Sequence, residues 1–206
     1  MLQATSLSKH AYIALYGFLR IKLELLKMKD ANEKDILKAC KKGKRFAQKL
    51  LYNNYKVAMF TICLRYMSNH QDAEDMLQEG WVYIFKNIQQ YDETKASFYS
   101  WARRIFINAN LQYLRKKRVF KEDLESTEVS LISEETTISN LTMEEMVDML
   151  HALPEGYRTV FNLYAIEGYS HKEIAEHLGI SVSTSKTQLM KAKKQLQSMI
   201  KLAYAI

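Results

Sequence analysis

The sequence predicts an all-α protein: two small helical domains joined by an acidic, flexible linker. Three observations carry this. One proline and six glycines in 206 residues supply few of the turns that an all-β or alternating strand–helix plan requires. Apolar residues recur at helical spacing in both halves of the chain. Between them, Val119 to Asn140 is rich in Ser and Thr and holds six acids (Glu122, Asp123, Glu125, Glu128, Glu134, Glu135) against Lys121. A segment of that composition has too little apolar surface to fold and reads as a linker. The resulting division is an extension at 1–30, a first domain at 31–118, the linker at 119–140 and a second domain at 141–206.

The extension contains an apolar run, Ala11 to Leu19, after Lys9 and His10. It is too short to span a membrane, and charged residues follow it where a secretory signal would have its cleavage site. We expect no membrane insertion. The natural start is expected at Met28, a point that the mass of the native N-terminus decides.

In the first domain, Ile36, Leu37, Phe46, Leu50, Leu51, Tyr55, Val57, Met59, Phe60 and Leu64 have the spacing of bundle helices. Asn69 is placed to cap the next helix. On that helix Asp72, Asp75 and Glu79 are three and four apart and share one face. This is either a solvated acidic face or a docking surface for a basic partner. From Asp72 to Glu93 there are six acids and one base; from Thr94 to Lys121 there are eight bases and no acid. The basic segment interleaves Phe98, Tyr99, Trp101, Phe106 and Tyr113 with Arg103, Arg104 and Arg115 to Arg118. Rings that stack on bases and cations that pair with phosphates suit single-stranded DNA. Trp101, Ile105 and Ile107 also fit a core. Asn108 is either a reader of a base edge or a buried core amide.

The second domain opens with a capping box, Thr142 and Glu145. Its end reads as a helix-turn-helix. Ser170 and Glu173 form another capping box, Ile174, Ala175 and Leu178 an apolar stripe, and Gly179 the turn. Ser181 or Ser183 caps the last helix. That helix is expected to present Lys186, Thr187, Gln188 and Lys191 outward, with Val182, Leu189 and Ala192 inward. From His177 to Ile206 there are five lysines and no acid, which favours a DNA major groove over an ordinary helical hairpin. The formal net charge of +7 points the same way.

The composition excludes other classes. No Gly-rich phosphate loop or nucleophile elbow is present. His171 and His177 are six apart, which is not the zincin spacing, and Cys40 and Cys63 have no partners at metal-ligand spacing. We expect no cofactor, no metal and no enzymatic activity, and two reduced, buried thiols of a cytoplasmic protein.

The order of acidic helix, aromatic-basic helix, acidic linker and helix-turn-helix resembles the sigma-70 family, in its two-domain extracytoplasmic-function form. Three segments carry the resemblance: Asp72-Ala-Glu-Asp-Met-Leu-Gln-Glu79, Phe98-Tyr-Ser-Trp101-Ala-Arg-Arg104-Ile-Phe-Ile-Asn108, and Leu153-Pro-Glu-Gly-Tyr-Arg158-Thr-Val-Phe161 with the helix-turn-helix behind it. The resemblance implies a promoter-specificity subunit whose partners are core RNA polymerase, through its largest-subunit clamp helices and its flap, and promoter DNA. An anti-sigma factor is a common partner in the family. Asp72, Asp75, Gln78 and Glu79 would dock on the polymerase. The loop from Asp92 to Phe98 would capture a flipped minus-ten base. Lys95, Phe98, Trp101, Arg104 and Asn108 would hold melted DNA, and Arg115, Lys116, Lys117 and Arg118 the duplex phosphates upstream. Ser183, Thr184, Lys186, Thr187, Met190 and Lys191 would face the minus-thirty-five element. The linker would thread the RNA exit channel. Lys186 and Lys191 stand where arginine is frequent in the family, and lysine is the poorer bidentate reader of guanine. The rival reading is an autonomous helix-turn-helix regulator that binds duplex DNA without polymerase.

Overall fold

A computed structural model describes residues 33–122 and 143–203. The extension ahead of residue 33, the greater part of the expected linker and the Thr142 cap lie outside the described residues. Every regular element among the described residues is helical. The chain divides into two compact units, with Arg118 the last residue of one and Val119 in the other.

The first unit starts with α1 (Glu33–Lys41). Its acids Glu33 and Asp35 lie in the first turn and its bases Lys38 and Lys41 in the last, as the helix dipole favours. The chain then reverses at Gly43, whose φ of 72° is accessible to glycine without strain. The periodicity gave no sign of this break. Helix α2 (Arg45–Tyr66) buries Ala47, Leu51, Tyr55, Ala58, Met59, Ile62, Cys63 and Tyr66, one helical stripe. Two expected core residues lie on its other face: Phe46 is 74% exposed and Val57 60%. The stripe already fills the space toward the neighbouring helices, so hydrophobicity alone misplaced both.

Helix α3 (His70–Asn87) is capped as expected, the Asn69 side chain accepting from the Asp72 amide at 2.8 Å. A 3-10 turn (Ile88–Gln90) and a loop lead to α4 (Phe98–Glu122). Helix α4 continues to Glu122, past the Arg118 at which the composition predicts the linker. At Gly80, α3 lies directly against the Phe106 ring of α4: a Cβ there would lie 2.2 Å from Phe106 Cε1.

The second unit contains α5 (Met143–His151), α6 (Glu155–Phe161), a π-helical segment (Asn162–Ile166), α7 (His171–Leu178) and α8 (Val182–Ala203). Leu150, Leu153, Val160, Leu163, Ile174, Ala192 and Leu196 form its core. Both halves of the Ser170–Glu173 capping box are made, and Gly179 ends α7 in the left-handed region at φ 65°. Ser181 starts α8, its Oγ accepting from the Thr184 amide at 3.0 Å.

Candidate nucleic-acid interface

Helix α8 carries the first candidate surface. Ser183, Lys186, Thr187, Met190 and Lys191 are all exposed and repeat at helical spacing, so they form one face. Met190, on the same face, is 63% exposed. Lys194 extends this face one turn further; its spacing from Lys191 could have found it. Three expectations are corrected. Thr184 is half-buried with its hydroxyl 2.8 Å from Ser181 Oγ, so it serves the start of the helix and not the outward face. Gln188 is half-buried against Gly156. Val182 is 41% exposed, because Ser185 takes the inward position.

Ser185 is fully buried, with its Oγ 2.9 Å from His171 Nδ1. This bond ties the start of α7 to the first turn of α8. His171 also stacks on Tyr164 at 4.5 Å. Burial, followed by the charges of Lys186 and Lys193, holds its imidazole below the ordinary histidine range.

The second candidate surface lies along α4. Trp101, Ile105 and Asn108 are half-buried and Arg104, Gln112, Arg115 and Lys116 exposed. They make a stripe with an aromatic ring at one end and cations at the other. Phe98 does not belong to it. Its ring is fully buried, packed against Tyr55 at 5.0 Å, Tyr91 at 5.6 Å and Trp101 at 5.8 Å. A ring enclosed by three others cannot stack on a base, so Phe98 anchors the preceding loop and contacts no DNA itself. Ile107 is core at 3% exposure, as expected. The buried amide is Asn110, which donates to the Phe106 carbonyl at 2.7 Å, and not Asn108.

The loop ahead of α4 is held by its own side chains. Asp92 Oδ1 accepts from the Thr94 amide at 2.9 Å and the Thr94 hydroxyl at 2.7 Å. Tyr91 donates its hydroxyl to the Ala96 carbonyl at 3.1 Å. Lys95, the loop's cation, is exposed. The segment is thus a shaped projection beside the start of the α4 stripe.

The third surface is the acidic face of α3. Asp75, Gln78 and Glu79 are exposed. Val82 and Tyr83 continue the same face at 52% and 53% exposure, an extension that the spacing i+7 and i+8 from Asp75 could have revealed. Asp72 does not share it. Its carboxylate accepts from Lys117 Nζ at 2.9 Å, with the two side chains 18% and 32% exposed. Burial alone would raise the Asp72 pKa, but hydrogen bonds with Lys117, Tyr113 and Asn69 and the lysine charge outweigh it and hold the carboxyl below its ordinary value. This pair bridges α3 to α4 and sets Asp72 and Lys117 apart from the fully exposed residues of the two surfaces. The Arg118 side chain lies outside the described residues.

Among the described residues no group of three or more His, Cys, Asp or Glu side chains could hold a metal ion, and no helix is long and apolar enough to cross a membrane.

Comparison with known proteins gives concordant matches in both units. Residues 51–119 match the family model of Sigma-70 region 2, and residues 143–196 that of Sigma-70 region 4. The chain is 28% identical over 178 residues to the ECF RNA polymerase sigma factor SigW of Bacillus subtilis, covering 80% of this chain and 95% of that protein. It is 25% identical over 178 residues to the ECF RNA polymerase sigma-E factor of Haemophilus influenzae, with 80% and 93% covered. Among solved structures it is similar to the sigma factor RpoE in complex with the anti-sigma factor NepR from Bartonella quintana. That match has a TM-score of 0.48 and 22% identity, and covers 77% of this chain and 98% of that one.

Proposed function

The chain belongs to the sigma-70 family as an extracytoplasmic-function RNA polymerase sigma factor, and from this we propose how its surfaces divide the work of promoter recognition and melting. It binds core RNA polymerase and promoter DNA. The match to region 2 beside region 4 rules against the autonomous regulator, which has no use for a polymerase-binding domain.

In this proposal the first domain docks on polymerase through Asp75, Gln78 and Glu79. It captures melted non-template DNA with the 92–97 loop, Lys95, Trp101, Arg104 and Asn108. Arg115 and Lys116 hold phosphates upstream. The second domain reads the minus-thirty-five element with Ser183, Lys186, Thr187, Met190 and Lys191. The chain acts without enzymatic activity in the cytoplasm, where an anti-sigma factor is a further partner. Melting then needs no nucleotide hydrolysis by this chain. Stacking of roughly 1–3 kcal/mol per base offsets the few kcal/mol needed to take a base out of the duplex.

The observation that supports this best is the α4 stripe: one helix face that passes from a half-buried tryptophan through Asn108 to exposed cations. Its test is permanganate footprinting of the assembled polymerase on a target promoter. Asn108→Ala and Trp101→Ala are expected to weaken thymine reactivity in the bubble more than they weaken initial promoter binding. Unchanged reactivity in both variants would refute it.

A further inference from the structure

We propose that Tyr157 on α6 is a positioning residue for promoter recognition, its ring holding the Lys191 ammonium in place on the outward face of α8 before DNA arrives. The inference rests on the role of Lys191 proposed above and adds the group that steers it.

A lysine at position 191 starts at a disadvantage as a reader of DNA. Its charge sits at the end of a flexible stem, and much rotamer freedom is lost when that charge is fixed on a partner. A fold that restrains the stem beforehand lowers this cost. Such a restraint is present. Lys191 Nζ lies 5.8 Å from the centroid of the Tyr157 ring, within the roughly 6 Å over which an aromatic face attracts a cation. Lys191 is exposed and Tyr157 half-buried, so the ring belongs to the body of the domain and the ammonium to its surface. The ring covers one side of the ammonium. The N–H donors on the other side stay available to a phosphate or a base edge, so the contact persists when DNA binds.

The ring is firmly mounted. Tyr157 lies in the first turn of α6, and the residues that follow it, Arg158 to Phe161, are buried. Arg158 is 2% exposed and donates from Nη1 to the His151 carbonyl at 3.3 Å, which fastens α6 to the end of α5. Beside the tyrosine, Gly156 brings the α6 backbone against α8: a Cβ there would lie 3.2 Å from Gln188 Nε2. Gln188 and Lys191 are three apart and therefore neighbours along α8. Gly156 and Tyr157 thus meet two successive positions of one ridge, the first through backbone and the second through the ring.

The test measures affinity for a fluorescent duplex that carries a target promoter with its minus-thirty-five element, at one fixed salt concentration. The full chain is assembled with bacterial core RNA polymerase as the unaltered protein, Tyr157→Phe, Tyr157→Leu, Lys191→Ala, and Tyr157→Leu combined with Lys191→Ala. Loss of the ring in Tyr157→Leu is expected to weaken binding about two- to fivefold, the range of an exposed cation–π contact. Tyr157→Phe keeps the aromatic face and should recover most of that loss. In the Lys191→Ala background, Tyr157→Leu should cost nothing further, because the group it steers is gone. A loss that persists in full without Lys191 would make the ring merely structural and overturn the inference. Equal losses in the Phe and Leu variants, or a Tyr157→Leu variant that binds as tightly as the unaltered chain or more tightly, would overturn it as well. Undiminished binding by Lys191→Ala would instead strike the role of Lys191 on which the inference rests.

Discussion

Replacing Gly80 with alanine is expected to destabilise the first domain, although alanine is the better helix former. The added Cβ would stand 2.2 Å from Phe106 Cε1 and 2.6 Å from both Cδ1 and Cζ. Carbon atoms in contact sit about 3.5–4.0 Å apart, so the ring must retreat by about 1.3 Å or more. Phe106 is fully buried and meets the Trp81 ring edge-on at 6.0 Å, which blocks a cheap escape. Overpacking of this kind costs about 1–3 kcal/mol, and exchange of glycine for alanine in a helix returns about 1 kcal/mol. We expect a net loss of up to about 2 kcal/mol. Both tryptophans of the chain, Trp81 and Trp101, belong to the first unit, so urea unfolding followed by tryptophan fluorescence reads that unit alone. Phe106→Leu in the alanine background should recover part of the loss, giving a coupling of about 1 kcal/mol in the double-mutant cycle. A stabilised Gly80→Ala variant, with no coupling to residue 106, would refute the close packing of α3 on α4.

Asp72→Asn should cost about 1–2 kcal/mol at neutral pH, the worth of a charge-assisted hydrogen bond. Because the folded carboxyl titrates below its unfolded value, its stabilisation is present above a pH of about 4 and is lost as pH falls through the folded value. Acid titration of urea stability should therefore be shallower in the variant, and parallel curves would contradict the pair. Burial pushes the Cys63 thiol up to about 12 and that of Cys40 up to about 11, so neither should react with iodoacetamide at pH 8 until denaturant is added. Rapid native labelling would contradict their burial. Lys186→Ala should cost about 1 kcal/mol on promoters that carry the minus-thirty-five element. Equal loss on templates without it would remove Lys186 from element reading.

What could be read from the sequence was local. Caps depend on residues three apart, so Asn69, Ser170 with Glu173, and Gly179 were all legible. The outward positions of Lys186, Thr187 and Lys191 followed from helical spacing. What was missed depends on approach between distant segments. Lys117 and Asp72 are 45 positions apart, and no periodicity joins them, so their pairing could not be read. Phe98 looked like a stacking ring because aromatic and basic residues alternate around it, yet Tyr55 and Tyr91 from other elements enclose it. Phe46 and Val57 looked like core because they are apolar and fall among residues at helical spacing, and the helix turns them outward. At the start of α8 the inward register passes through the polar Ser185, which a hydrophobic count skips in favour of Val182.

The most direct measurement is promoter-DNA binding by the purified full chain with and without core RNA polymerase, with complex formation followed on a sizing column. Co-elution with core, and specific DNA binding only in its presence, is the predicted result. Tight and specific duplex binding by the chain alone, with no core complex, would contradict the proposed roles of both domains.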